Sequence, residues 1–229
     1  GHGGGRAGEA GWRRVPTCAP AMTRGRFITV EGIEGAGKST LLQGLADALR
    51  SRGIVACATR EPGGTPLAED IRGLVLARRA EGMPPAAELL LMFAARASHV
   101  AQRIEPALAR GEWVLCDRFT DASRAYQGGG RGMDAADIEA LARVAHPGLV
   151  PDLTLLLDIA PEVGLSRAQK RGTGGDRFED EALAFFSRVR AKYLALAAAE
   201  PRRFRVLDAT LSPAALQQQA IQPLLALLP

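Results

Sequence analysis

Eight consecutive residues, Gly32-Ile33-Glu34-Gly35-Ala36-Gly37-Lys38-Ser39, match G-x-x-x-x-G-K-[ST] at every fixed position. The chemistry of that spacing is phosphate binding. Glycines let backbone N–H groups turn inward around an anion, and a helix beginning near Lys38 adds its positive end. Lys38 is expected to reach the β- and γ-phosphates of ATP, and the Ser39 hydroxyl to bind Mg²⁺. The expected ATP site covers Gly32, Ile33, Glu34, Gly35, Ala36, Gly37, Lys38, Ser39 and Thr40.

A second signal is Asp117-Arg118, which follows the apolar run Trp113 to Cys116. A carboxylate at the end of a parallel strand can sit beside the phosphate loop and hold the metal through water. Ser39 and Asp117 are therefore the expected metal residues. Outside the phosphate loop the candidate residues are mostly cations: Arg72, Arg96, Arg118 and the group Arg167, Lys170, Arg171 and Arg177. A hydroxyl acceptor would need a general base close to it. A phosphate acceptor is already anionic, and fixed guanidinium groups offset the repulsion between two anions. This inventory favours a nucleoside monophosphate. The stretch from Lys170 to Arg177 places Gly172, Gly174 and Gly175 between cations, as a short flexible lid over the γ-phosphate would need.

These residues need a scaffold. Phe27–Val30 is a β-rich run that ends in the glycine loop. A helix follows with Leu41, Leu42, Leu45 and Leu49 on one side, and Gly53 stops it. Further strands are expected over 54–59, 113–116, 153–157 and 204–207. Helices are expected over 66–79, 86–110, 134–145, 161–171, 180–199 and 213–227, with Asp134 as an N-cap. Strands alternating with helices imply right-handed crossovers. The expected fold is α/β, a P-loop kinase fold with a five-stranded parallel sheet flanked by helices on both faces. The nearly all-apolar Leu153–Leu157 fits a strand covered on both sides.

The net charge of +4 is accounted for by Arg6, Arg13, Arg14, Arg24 and Arg26 against Glu9 alone. The remainder is neutral in sum, which argues against a nucleic-acid partner. Residues 1–25, rich in Gly and Arg without period, are expected to form a disordered extension ahead of one domain over 26–229. Met22 could serve as a native start, and this stretch lacks the apolar segment of a signal peptide. Cys18, Cys57 and Cys116 are odd in number and form no Cys-x-x-Cys pair, which fits a reducing cytoplasm. No apolar run approaches the ~20 residues that span a bilayer.

Several segments together are specific. Thr59-Arg60-Glu61-Pro62-Gly63-Gly64-Thr65, Phe93-Ala94-Ala95-Arg96, Asp117-Arg118-Phe119 with Ala125-Tyr126-Gln127-Gly128, and Asp176-Arg177-Phe178-Glu179 occur in that order behind the phosphate loop. From about Arg26 to the C-terminus the chain closely resembles bacterial thymidylate kinase. The resemblance implies that ATP phosphorylates dTMP, with Mg²⁺, in a cytoplasmic homodimer. It implies that Arg72 and Arg118 hold the dTMP phosphate, that Arg96 bonds the thymine carbonyl, and that Ser123 and Gln127 contact the base. It places Tyr126 against the sugar 2′ position, Glu34 near the sugar and Mg²⁺, and Glu179 on the sugar side.

Two departures matter. Many members place a Phe four residues before the thymine-binding Arg. Here Met92 holds that position and Phe93 is three before, so the resemblance leaves open which side chain covers thymine. Some members carry a basic residue straight after the loop lysine, whereas this chain has Ser39. That resembles the subgroup whose catalytic cation comes from the lid, here Arg171 or Arg177. The alternatives are another P-loop nucleotide or small-molecule kinase, and a nucleotide-binding switch without kinase activity.

Overall fold

The computed structural model describes residues 23–170 and 183–228. The expectations placed on residues 1–22, Arg171, Arg177 and Glu179 lie outside the described residues. Five parallel strands form one sheet: β1 (Phe27–Glu31), β2 (Ala56–Arg60), β3 (Trp113–Asp117), β4 (Leu153–Asp158) and β5 (Phe204–Asp208), in the order β2-β3-β1-β4-β5. The central β1 is buried along its whole length. Ile28 lies between Leu115 and Leu153, and Val30 is level with Asp117. The phosphate loop after β1 and the Asp-Arg pair after β3 therefore leave the sheet side by side, where the chain order reverses.

Alternate side chains of β1 and β3 enter separate cores, as the strand period of two requires. Ile28, Val30, Trp113 and Leu115 join a core with helices α1 (Lys38–Arg50), α8 (Leu183–Ala199) and α9 (Pro213–Leu225). Phe27, Val114 and Cys116 pack on the other face with Ile104 and Leu108. Leu41, Leu42, Leu45 and Leu49 are all buried on α1, each contributing about 2 kcal/mol by removal from water. Gly25 N–H donates to Leu108 O at 2.8 Å and Arg24 pairs with Glu105 at 2.9 Å, so the backbone is tied to the domain just ahead of β1.

The remaining helices are α2 (Pro66–Leu76), α3 (Pro85–His99), α4 (Glu105–Ala109), α5 (Thr120–Ser123), α6 (Ala135–Ala145) and α7 (Pro161–Lys170). The helix expected over 86–110 is one run with a π-helical turn at Val100–Ile104 joining α3 to α4. Pro106 has no N–H to give Gln102, and its ring crowds that carbonyl, so the turn widens just ahead of it. Helix α2 ends at Leu76, where Ala77 turns extended, and β2 starts at Ala56 after the exposed Val55. Asp134 caps α6 as expected, its side chain accepting from Ala136 N.

Candidate active site

The phosphate loop is shaped by contact as well as by glycine freedom. Gly35 has φ 75°, and a Cβ there would collide with the Gly164 carbonyl of α7. Lys38, the first residue of α1, folds back over the loop. Its Nζ donates to Gly32 O at 3.0 Å and to Ile33 O at 2.9 Å. Burial, helped by the Arg118 charge, pushes Lys38 down to about 8, against the pull of Asp117, Glu34 and Glu31. Ser39 Oγ donates to Asp117 Oδ2 at 3.3 Å. A hydroxyl and a carboxylate oxygen suit a hard divalent cation. Among the described residues no three His, Cys, Asp or Glu side chains converge on a metal position. That donor set fits Mg²⁺, which keeps several waters and takes ligands from bound phosphate.

Arg118 follows β3 with φ 70°, a left-handed conformation uncommon for a residue with a Cβ and concentrated at functional sites. Its N–H is held by Val30 O at 3.0 Å. Nη2 donates to Glu34 Oε1 at 2.6 Å and to Tyr126 Oη at 3.0 Å, while Tyr126 Oη donates to Glu34 Oε2 at 2.7 Å. Burial raises the cost of the Glu34 carboxylate, but Arg118, Lys38 and Tyr126 outweigh it and hold its pKa below the ordinary value. Burial also disfavours the Arg118 cation, and Tyr126, Glu34 and Asp117 outweigh that too. Arg118 Nε is buried without a partner among the described residues, a donor left over for a ligand.

Two clefts meet at the phosphate loop. One is lined by Gly35, Ala36, Gly37 and Thr40 with Arg167 and Lys170 of α7. The other is lined by Glu34, Arg72, Met92, Arg118, Tyr126 and Gln127. Arg72 is steadied by donating to Pro62 O at 3.0 Å. The second cleft thus gathers Glu34, Arg72, Arg118, Tyr126 and Gln127, five of the expected acceptor-site residues.

Arg96, Phe93 and Ser123 lie behind these lining residues. Arg96 is 1% exposed. Its Nε donates to Glu61 Oε2 at 2.6 Å, Nη1 to Ser123 Oγ at 3.1 Å and Nη2 to Phe119 O at 3.1 Å. Phe93 stacks under the Arg96 guanidinium at 4.6 Å, and it is Met92 that lines the cleft. Burial raises the cost of the Glu61 carboxylate, but Arg96 and His99 outweigh it and hold its pKa low. His99 Nδ1 lies 2.9 Å from Glu61 Oε1.

No role for Glu31, Glu61, Glu88 or His99 is legible in the sequence alone. Glu31 closes β1, and it accepts from Phe119 N and from Tyr193 Oη, each at 2.7 Å. Burial, reinforced by Asp121, pushes its carboxyl up to about 8. Glu61 stands inside the Thr59–Thr65 segment, which was the available signal. Tyr126 and Gln127 sit on a π-helical turn, Arg124–Gly130. At Gly130 a Cβ would press on the Phe185 ring, so glycine permits α8 to approach.

The Thymidylate kinase family model matches residues 30–220. A thymidylate kinase of Chromohalobacter salexigens is 58% identical over 197 residues, covering 86% of this chain and 93% of its own length. One from Pseudomonas syringae pv. tomato is 59% identical over 193 residues, covering 84% and 91%. The crystal structure of thymidylate kinase from Ehrlichia chaffeensis superposes with a TM-score of 0.72 at 31% identity, covering 88% of this chain and 99% of that one. Neither the switch reading nor another kinase specificity finds support in these likenesses. Agreement in sequence and in fold over most of the chain means that it belongs to the thymidylate kinase family.

Proposed function

We propose that this chain, a kinase that phosphorylates dTMP to dTDP at the expense of ATP, binds its two nucleotides in the two clefts that share the phosphate loop. That shared loop is the observation that carries the reading. ATP takes the cleft of Gly35, Ala36, Gly37 and Thr40, and dTMP takes the cleft of Arg72, Arg118, Tyr126 and Gln127. Arg72 and Arg118 hold the acceptor phosphate. Arg118 Nε supplies an unused donor, and the Glu34 ion pair keeps the guanidinium in place. Tyr126 and Glu34 face the sugar. Arg96 acts from behind the cleft by fixing Ser123 and the Phe119 carbonyl.

Ser39 and Asp117 would hold Mg²⁺, which when bound neutralises charge on the ATP phosphates. Lys38 gives the transferring phosphoryl group a positive partner once ATP displaces the loop carbonyls. Arg171 or Arg177 supplies the further cation, since Ser39 stands where some relatives have a base. Alanine variants at these two positions should lower kcat with little change in either KM.

The enzyme works in the cytoplasm as a homodimer. Leu67 and Leu74 on α2 and Leu90 on α3 are exposed leucines on packed neighbouring helices, a surface that a second copy would cover. A Leu74→Arg variant that still elutes as the wild type in sizing chromatography would argue against this face.

A thermal melt with dTMP alone tests the acceptor cleft. At a hundredfold excess over Kd the ligand should stabilise the apoenzyme by about 2.7 kcal/mol. No shift at saturating dTMP without ATP would mean that this cleft does not bind the acceptor by itself.

A further inference from the structure

Gln127 is 2% exposed and lines the acceptor cleft. Its Nε2 donates to Glu88 Oε1 at 2.8 Å, while its Oε1 is buried with no partner among the described residues. Glu88, in the first turn of α3, is 1% exposed. Its other oxygen, Oε2, pairs with Arg131 Nη2 at 3.5 Å. A carboxylate in such an ion pair can only accept hydrogen bonds. It therefore fixes which end of the Gln127 amide faces it, and leaves the carbonyl end over.

We propose that Glu88 is a positioning residue that presents Gln127 Oε1 as an acceptor to the N3–H of the acceptor base, selecting thymine-type over cytosine-type monophosphates. Thymine carries a proton on N3, whereas neutral cytosine carries a lone pair there. With Oε1 held toward the base, the first is paired and the second meets an acceptor face to face. A buried polar atom left unpaired is what makes such discrimination effective. The inference rests on the reading that this cleft takes the acceptor base. It extends that reading to a glutamate outside the cleft lining.

The test is steady-state turnover of dTMP and dCMP by wild type, Glu88→Gln, Gln127→Ala and the double variant. A Gln at 88 can donate as well as accept, so the Gln127 amide can turn either way. Glu88→Gln should lower the dTMP-to-dCMP ratio of kcat/KM by about threefold to tenfold, through KM for dTMP, with KM for ATP unchanged. In the Gln127→Ala background the same substitution should leave the ratio unchanged. A wild-type ratio in Glu88→Gln, or an equal shift in both backgrounds, would overturn the positioning role. If Gln127→Ala alone alters neither KM for dTMP nor the ratio, the cleft reading itself fails. Should Glu88→Gln not fold, the wild type is assayed with a dTMP analogue carrying CH in place of N3–H. A loss of about threefold to tenfold supports the proposal, and parity with dTMP overturns it.

Discussion

The Arg118 guanidinium meets the Glu34 carboxylate at 2.6 Å and so joins the end of β3 to the phosphate loop of β1. Each helps keep the other charged in a partly buried place, and Tyr126 bonds both. The second cleft and the phosphate loop are thereby one electrostatic unit.

Removing Arg118 should disturb the acceptor more than ATP. Arg118→Ala is expected to raise KM for dTMP by about tenfold or more, the scale of one charged hydrogen-bonded contact. Steady-state kinetics with each substrate varied in turn checks this. Equal effects on both KM values would place Arg118 elsewhere than the acceptor phosphate.

Lys38→Ala should lower kcat by about a hundredfold or more while leaving the fold intact by circular dichroism. The wild type should also show a pH signature. Lys38 is held down to about 8, so the free enzyme loses this cation above that pH. The value of kcat/KM for ATP should fall as pH rises through about 8. A flat profile would mean that the lysine stays charged in the free enzyme.

Arg96→Ala should destabilise by about 3–5 kcal/mol, because it leaves Glu61 ionised and buried without its strongest partner. Chemical denaturation measures it. A loss below about 1 kcal/mol would mean that water or His99 takes over the pairing.

Glu31 gives a stability prediction with a defined sign. Its carboxyl deprotonates near 4.5 when unfolded and near 8 when folded. The stability of the protonated form is full below 4.5 and is lost as pH rises through 8. Glu31→Gln removes that dependence. The Tm of the variant relative to wild type should therefore rise between about pH 5 and about pH 8. A constant difference would mean that Glu31 is ionised throughout.

Much of this was legible in the sequence for physical reasons. A phosphate loop is a local pattern, and Ile28, Val30, Leu115 and Leu155 announce covered strands by type alone. The five strands follow from those signals, whereas Glu34, Arg118 and Tyr126 were brought to one site only by the resemblance, and their mutual bonds appear only in the fold. What was hidden depends on contacts far apart in the chain. The turn carrying Tyr126 and Gln127 ends in Gly128-Gly129-Gly130, which reads as a loop until α8 is packed against it. Glu88 looks like an ordinary first-turn acid on α3 until Gln127 and Arg131 arrive from another element. Phe93 and Arg96 share a helix face, and only the fold reveals that they stack on each other while Met92 borders the cleft.

On the reading proposed above, the second cleft receives dTMP as phosphoryl acceptor. The decisive measurement is ADP release with ATP, Mg²⁺ and each deoxynucleoside monophosphate in turn. dTMP should give the highest kcat/KM of the panel, with dTDP as the second product. Equal or faster turnover of dCMP, dAMP or dGMP, or ADP release that does not depend on any monophosphate, would contradict it.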